Sequence, residues 1–412
     1  MPIDVTADLL ETFAIQLADA AMHLDGEPTI QWLHQEIDRQ SYATALNSDE
    51  KEKLIHLIRT KHLVLETEIY SVVSTKIKYQ PILKERLDIF SDKNAENTYF
   101  WSRYKKTKAS KPVLLHNTDR DTNRILAHMP DPKSQEKFCS LGMVIGDVQA
   151  GKTGNYSALI NKSADLGYKL IIVLTGVTEV LRSQTQQRLD EDFIGVASVA
   201  GQNIRQYRKY VGVGLKLPRE KTLQPFPITD RDQDLKNTST ATHIQIQASN
   251  SPVIIVTKKN ITLLRHLLDW MVRQEDEAGE GVDSPVLIID DESDNASVNT
   301  GKEDEEPKAV NLGIRKIMSR CNKVAYVAYT ATPFANIFID PDSESDTSGL
   351  IDLYPKDFIV ALQAPPNYCG GRFFYNDDED MPETSNVKKY ISDAESNFPI
   401  GHKSTDQPSG LP

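Results

Sequence analysis

The octapeptide Gly146-Asp147-Val148-Gln149-Ala150-Gly151-Lys152-Thr153 constrains this chain more than any other feature. It matches G-x-x-x-x-G-K-[ST] at every fixed position. The apolar run Met143-Val144-Ile145 precedes it, and a helix-like stretch from Asn155 to Leu166, ending at Gly167, follows. A loop wrapped round an anion must turn backbone N–H groups inward, and glycine adopts the required angles without steric cost. The spacing therefore predicts a strand, a phosphate-cradling loop and a helix whose positive N-terminus faces the anion. Gly146, Ala150, Gly151, Lys152, Thr153 and Gly154 then line a nucleotide. Lys152 reaches the β- and γ-phosphates, and the Thr153 hydroxyl ligates Mg2+. ATP and Mg2+ are the expected cofactors. The alternative is a glycine-rich turn without a ligand, which leaves the strand before and the helix after unexplained.

From Gly142 onward, short β-branched runs alternate with helical stretches. The runs at 143–146, 169–176, 252–257, 285–290 and 324–332 are five candidate buried strands. Such alternation predicts an α/β fold with a mainly parallel sheet and crossover helices. A polar segment, about 201–250, interrupts the rhythm and reads as an insertion. Residues 1–107 read as an all-α N-terminal region. Leu9, Leu10, Phe13, Leu17 and Leu24, then Leu54, Leu57, Ile58 and Leu65, recur at helical spacing. A polar connector is expected at 108–140, with breakers at Pro112, Pro130 and Pro132. The α/β domain is expected to span 141–340, and 341–412 reads as acidic and loop-rich.

The second chemical signal is Pro285-Val-Leu-Ile-Ile-Asp290-Asp291-Glu292-Ser293-Asp294. A carboxylate at the C-terminal end of a strand beside the phosphate-loop strand can hold Mg2+, and a neighbouring glutamate can polarise the attacking water. Asp291 is assigned to the metal and Glu292 to the water, with Asp290 as the register alternative. The competing reading is a solvated acidic turn. Thr330-Ala331-Thr332-Pro333 ends the next strand, where the Thr330 and Thr332 hydroxyls suit coupling of the acidic box to a nucleic-acid site. Candidate backbone contacts are Arg182, Gln184, Thr185 and Arg188 on one helix, and Thr257, Lys258, Lys259 and Asn260 after a strand. For each of these a solvated helix or strand end is an equal alternative.

The segments GDVQAGKTGNYSALINKSADLGYKLIIVLTG, LRSQTQQRLD, IIVTKKN, LIIDDESDNASVN and AYTATPFANIF, in this order, closely resemble the Z1 domain family. YFWSRYKKTK and DRDTNRILAHMPDP upstream are also similar to it, so the resemblance runs from about Tyr99 to Arg372. It implies a RecA-like P-loop domain of a superfamily 2, helicase-like ATPase from bacterial restriction and anti-phage gene clusters, and it carries an endonuclease label. It gives Gly151, Lys152 and Thr153 the nucleotide role and Asp291 and Glu292 the catalytic role, with Lys152, and it places Gln149 in the loop. Family members continue through a second RecA-like domain. The expectation is a chain that ends near that junction, binds ATP and hydrolyses it poorly alone. No Asp…Glu-x-Lys nuclease constellation is read in these residues.

Composition narrows the rest. A net charge of −12 excludes a wholly basic binder but leaves room for a local basic groove. No segment has the roughly 20 apolar residues of a membrane span, and the N-terminus lacks the features of a signal peptide. The three cysteines, Cys139, Cys321 and Cys369, have no metal-ligand spacing. These features fit a cytoplasmic protein. The expected partners are DNA and the proteins of a defence operon, with no membrane. An ATP-switched assembly or signalling protein that recruits a partner nuclease is the alternative. A guanine-reading role for Asn161, Lys162 and Asp165 is disfavoured, because they lie within the helix after the loop.

Overall fold

The computed structural model describes residues 7–22, 30–40, 42, 46–58, 71–91, 93–94, 97–146, 151–199, 209–216, 223–235, 245–247, 249–275, 279–295, 297, 309–337 and 349–362. Met1–Pro366 forms one compact unit; Asn367–Pro412 forms a second, which lies outside the described residues. Among the described residues, no helix is long and apolar enough to cross a membrane.

The eight strands are β1 (Ser71–Val73), β2 (Phe138–Ile145), β3 (Leu170–Thr175), β4 (Phe226–Pro227), β5 (Val253–Lys258), β6 (Val286–Asp291), β7 (Lys323–Thr330) and β8 (Phe358–Ala361). They form one sheet in the order β1-β8-β2-β7-β6-β3-β5-β4. Every neighbouring pair is parallel except β1 with β8. The five apolar runs read from the sequence are β2, β3, β5, β6 and β7. Their near-continuous apolar character reflects burial on both faces.

Alternate residues supply the two faces. Ile171 and Val173 of β3 and Leu287 and Ile289 of β6 join Trp101, Leu126, Tyr156, Leu159 and Ile160 in one core layer. That layer is built from α5 (Phe100–Lys108), α6 (Pro112–His128) and α7 (Lys152–Leu166). Leu170, Ile172 and Leu174, with Val286 and Ile288, face Leu264, Leu267, Trp270, Ile314 and Ile317 in the other. Here the cover is α9 (Ile261–Val272) and α10 (Ala309–Ser319). Each fully buried aliphatic side chain of this kind contributes about 1.5–3 kcal/mol, so the two layers hold the strand ends of the sheet in fixed register.

The N-terminal reading holds for α1 (Ala7–Met22), α2 (Ile30–Arg39) and α3 (Ser48–Leu57). Leu17, Leu33, Ile37, Leu54 and Ile58 form a cluster of their own. Leu24 and Leu65 lie outside the described residues. The region is not all-helical, because β1 falls within it and pairs with β8. Three residues, all exposed, are too few to carry a recognisable alternation.

The expected connector at 108–140 is corrected as well. Most of it is α6, with Pro112 in its first turn. There proline's missing N–H is one that no helix satisfies, so it starts the helix and does not break it. Ile125 and Leu126 are fully buried. After residue 340 the described part, 349–362, is not loop alone, since β8 slots between β1 and β2.

The insertion adds β4 at the far edge of the sheet. Two polar anchors bind it to α8 (Glu179–Leu189) and the turn that follows. Arg182 donates to the carbonyls of Asp230 (2.8 Å) and Arg231 (2.9 Å). The buried Asp190 carboxylate accepts from Ser198 N (2.9 Å) and Arg231 Nε (2.6 Å).

Candidate functional site

The parallel strands end together on one edge of the sheet, and open α/β sheets bind ligands outside that edge. The chain leaves β2 toward β3 and leaves β7 toward β8, in opposite directions along the sheet. Right-handed crossovers then run on opposite faces, the topological switch point at which open α/β sheets place a ligand. Gly146 N donates to Thr330 O (3.0 Å) and Leu362 N to Ile145 O (2.7 Å), locking three strand ends level.

At this edge α7 begins. Its N-cap, Gly151, has φ 89°, while a Cβ there would meet nothing within 4 Å. The backbone angle, not the space, demands glycine. Gly146 is the opposite case, since its Cβ would come 3.2 Å from Lys152 Cγ. Glycine lets the lysine stem cross the end of β2, and Lys152 Nζ donates to Gly146 O at 3.2 Å. Tyr104 OH donates to Gly154 O (3.2 Å), pinning the first turn of the helix from α5. Lys152, Thr153 and Gly154 remain partly exposed. Gln149 and Ala150 lie outside the described residues.

The acidic strand β6 is not beside β2, as the sequence reading had it: β7 stands between them. At about 4.8 Å per strand, the separation is about 10 Å, wide enough for small groups between the two ends. The adjacent carboxylates differ in surroundings. Asp290 is fully buried, accepting from Lys259 Nζ (3.0 Å) and from Tyr326 OH. Asp291 is partly exposed and accepts from Tyr156 OH of α7 at 3.1 Å. Thr153 and Thr185 also interact with the Tyr156 phenol. Burial raises the Asp291 carboxyl above its ordinary range, with Tyr156 opposing and Glu292 adding to the rise.

Glu292 is exposed and has φ 54°. A left-handed non-glycine residue costs about 1 kcal/mol or more, and it persists where the surroundings hold it. Lys259 Nζ donates to Asp291 O (2.8 Å) and Glu292 O (2.6 Å), and Asn295 N donates to Glu292 O (2.9 Å). The Glu292 carboxylate rests against Gly176 at the end of β3, where a Cβ would stand 2.9 Å from Oε2. Asp294 accepts from Thr330 Oγ1 (2.7 Å) and Thr332 Oγ1 (2.6 Å). Burial raises its carboxyl, but the two threonine bonds outweigh that and leave it below its ordinary value.

The contact candidates divide. Arg182 is fully buried, with its guanidinium spent on Glu179 Oε1 (2.6 Å) and the insertion carbonyls. Thr257 and Thr185 are buried too. Gln184 and Arg188 are exposed; Arg188 Nε lies 3.7 Å from Asp192. Lys258 is partly exposed and pairs with Glu179 at 2.6 Å. Asn161, Lys162 and Asp165 serve structure. Asn161 bonds the carbonyls of Ser157 (2.8 Å) and Asp192 (3.0 Å), Lys162 bonds Asp119 and Asn123, and Asp165 caps α5.

Two residues escaped the sequence reading, Tyr156 and Tyr326, and Lys259, read there as a backbone contact, instead holds the acidic box. The period of two places Lys259 on the face of β5 opposite Lys258, but both faces of β5 are buried, so the alternation alone does not mark it. The tyrosines sit in apolar stretches that read as core.

Among the described residues, no group of three or more His, Cys, Asp and Glu is arranged to hold a metal by itself. The arrangement does fit a magnesium nucleotide in a mixed site. It offers a helix N-terminus with a lysine beside it, and it brings Thr153 and Asp291 to the same phenol. No family model matches the chain, and no curated protein is similar to it.

Proposed function

We propose that this chain is an ATP-binding, helicase-like (superfamily 2) nucleic-acid-dependent ATPase module of a Z1-type DNA restriction or defence protein. One observation carries the reading. The Tyr156 hydroxyl joins the phosphate-loop helix to Asp291, while Asp294 of the same box is held by Thr330 and Thr332. Three sequence-distant motifs thus meet at the acidic box, one at Asp291 and one at Asp294.

In this reading Lys152 and the N-terminal N–H groups of α7 bind the β- and γ-phosphates. Thr153 and Asp291 hold Mg2+, Asp291 oriented by Tyr156. The ion supplies charge neutralisation on the phosphate oxygens. Glu292 orients and polarises the water. Thr330 and Thr332 link the box to the nucleic-acid side, where Gln184, Arg188 and Lys258 contact the backbone. Asp290 drops out as the metal ligand because Lys259 and Tyr326 already fill its oxygens. The resemblance of the motif series to the Z1 domain family points the same way.

Phosphate release from ATP, measured with and without duplex and single-stranded DNA, tests the proposal. Turnover by this chain alone is expected to be low and to rise modestly with DNA, and Glu292→Gln is expected to abolish it with nucleotide still bound. Turnover indifferent both to DNA and to Glu292→Gln contradicts it.

A further inference from the structure

We infer that Lys259 is a positioning residue for Glu292: it holds the left-handed turn that aims the glutamate. The inference rests on the ATPase reading for its purpose, though not for its geometry.

Lys259 is nearly fully buried (2 %). Its ammonium has three donors, and three acceptors of the acidic box surround it: Asp290 Oδ1 at 3.0 Å, Asp291 O at 2.8 Å and Glu292 O at 2.6 Å. Two of the three are the main-chain carbonyls of the peptides that enter and leave the strained residue. A buried ammonium must satisfy all three donors; Asp290 takes one, and the acceptors of the other two are carbonyls of this turn. The other two bonds fix the path of the chain through Asp291 and Glu292 as it turns to φ 54°. The turn has further supports, Asn295 N on Glu292 O and Ser293 N on Tyr329 O (3.0 Å). Ser293 ties the turn to β7, and Lys259, directly after β5, ties it to that strand. Lys259 therefore ties the aim of Glu292 to the end of β5.

That end also faces outward. Lys258, the preceding residue, pairs with Glu179 at the start of α8. The two lysines point to opposite partners from consecutive positions, as successive side chains of an extended segment do. A displacement of the β5 end is felt directly at the glutamate.

The test uses the full chain. Lys259→Met alone leaves Asp290 as a buried charge without its cation and endangers the fold. Lys259→Met with Asp290→Asn removes both charges while the amide still accepts from Tyr326. Crystal structures of the wild type and the double variant read the turn. The proposal expects Glu292 to leave the left-handed region and its carboxylate to leave Gly176. An unchanged Glu292 φ and carboxylate position in the folded double variant overturns it, whatever the chain does with ATP. Turnover adds a second reading. The double variant is expected to lose about 10²-fold in kcat with KM for ATP nearly unchanged. Adding Glu292→Gln to it is then expected to cost little more, because the two changes remove one function. Full additivity contradicts a shared role. Binding of ATP by the double variant separates this outcome from failure of the nucleotide reading itself.

Discussion

At its N-terminal end α7 keeps Lys152, Thr153 and Gly154 partly exposed at the sheet edge. At its C-terminal end the same helix buries a second set of polar residues and satisfies them internally. Lys162 is fully buried between Asp119, Asn123 and the ring of Trp101, whose centroid lies 4.3 Å from Nζ. Asp165 accepts three backbone N–H groups, from Tyr99 (2.9 Å), Phe100 (3.0 Å) and Trp101 (2.8 Å). Burial outweighs these bonds and pushes its carboxyl up to about 6. Two lysines one helix apart thus differ in kind. One stands at a helix N-terminus, where its charge opposes the dipole unless an anion arrives. The other replaces water with fixed partners. A lysine's role follows from what surrounds its ammonium.

The comparison is sharpened most by Lys162→Met. Removing the cation leaves the Asp119 carboxylate without its ammonium partner, and the chain is expected to lose about 3 kcal/mol of stability in chemical denaturation. Nucleotide affinity of the folded fraction stays unchanged. Equal denaturation midpoints for variant and wild type would break the distinction.

Gly176→Ala is expected to act at the functional edge alone. The added methyl meets Glu292 Oε2 at 2.9 Å and Leu181 Cδ1 at 3.0 Å, both ends of side chains that can shift. Turnover should fall by about tenfold, a barrier change of about 1.4 kcal/mol, with a denaturation midpoint close to wild type. A large stability loss with normal turnover assigns Gly176 to packing instead.

The smallest effect is on pH dependence. Burial lowers the Lys162 ammonium to about 8 from its ordinary 10.5. Between these values the unfolded chain binds more protons than the folded one, so this group makes stability rise with pH there. Comparing wild type with Lys162→Met between about pH 8 and 9.5 isolates the term. The wild type is expected to gain on the variant by up to about 1.4 kcal/mol per pH unit. Parallel curves would contradict it.

The five central strands were legible because burial on both faces leaves an apolar run that few other contexts produce. The start of α7 at Gly151 was legible because a glycine that takes a positive φ marks the entry to a helix. The elements that were missed depend on distant partners. Pro112 reads as a breaker until Ile125 and Leu126 find a core. Ser71–Val73 becomes a strand only by pairing with Phe358–Val360. The place of β7 between β2 and β6 is a matter of topology, which periodicity does not encode. Arg182 illustrates the limit for single residues. A cation on a helix reads as a contact surface, yet the insertion folds over it. Lys259 is a second case, a cation read as a contact whose ammonium turns to the acidic box instead.

The central claim is that Lys152 and the start of α7 hold a triphosphate whose magnesium faces Asp291. Titration of the full chain with Mg-ATP, wild type against Lys152→Ala, measures it most directly. The account predicts saturable binding by the wild type and at least about 100-fold weaker binding by the variant, about 2.7 kcal/mol, with matching denaturation midpoints. Equal affinities for the two proteins, or no binding by the folded wild type, would contradict it.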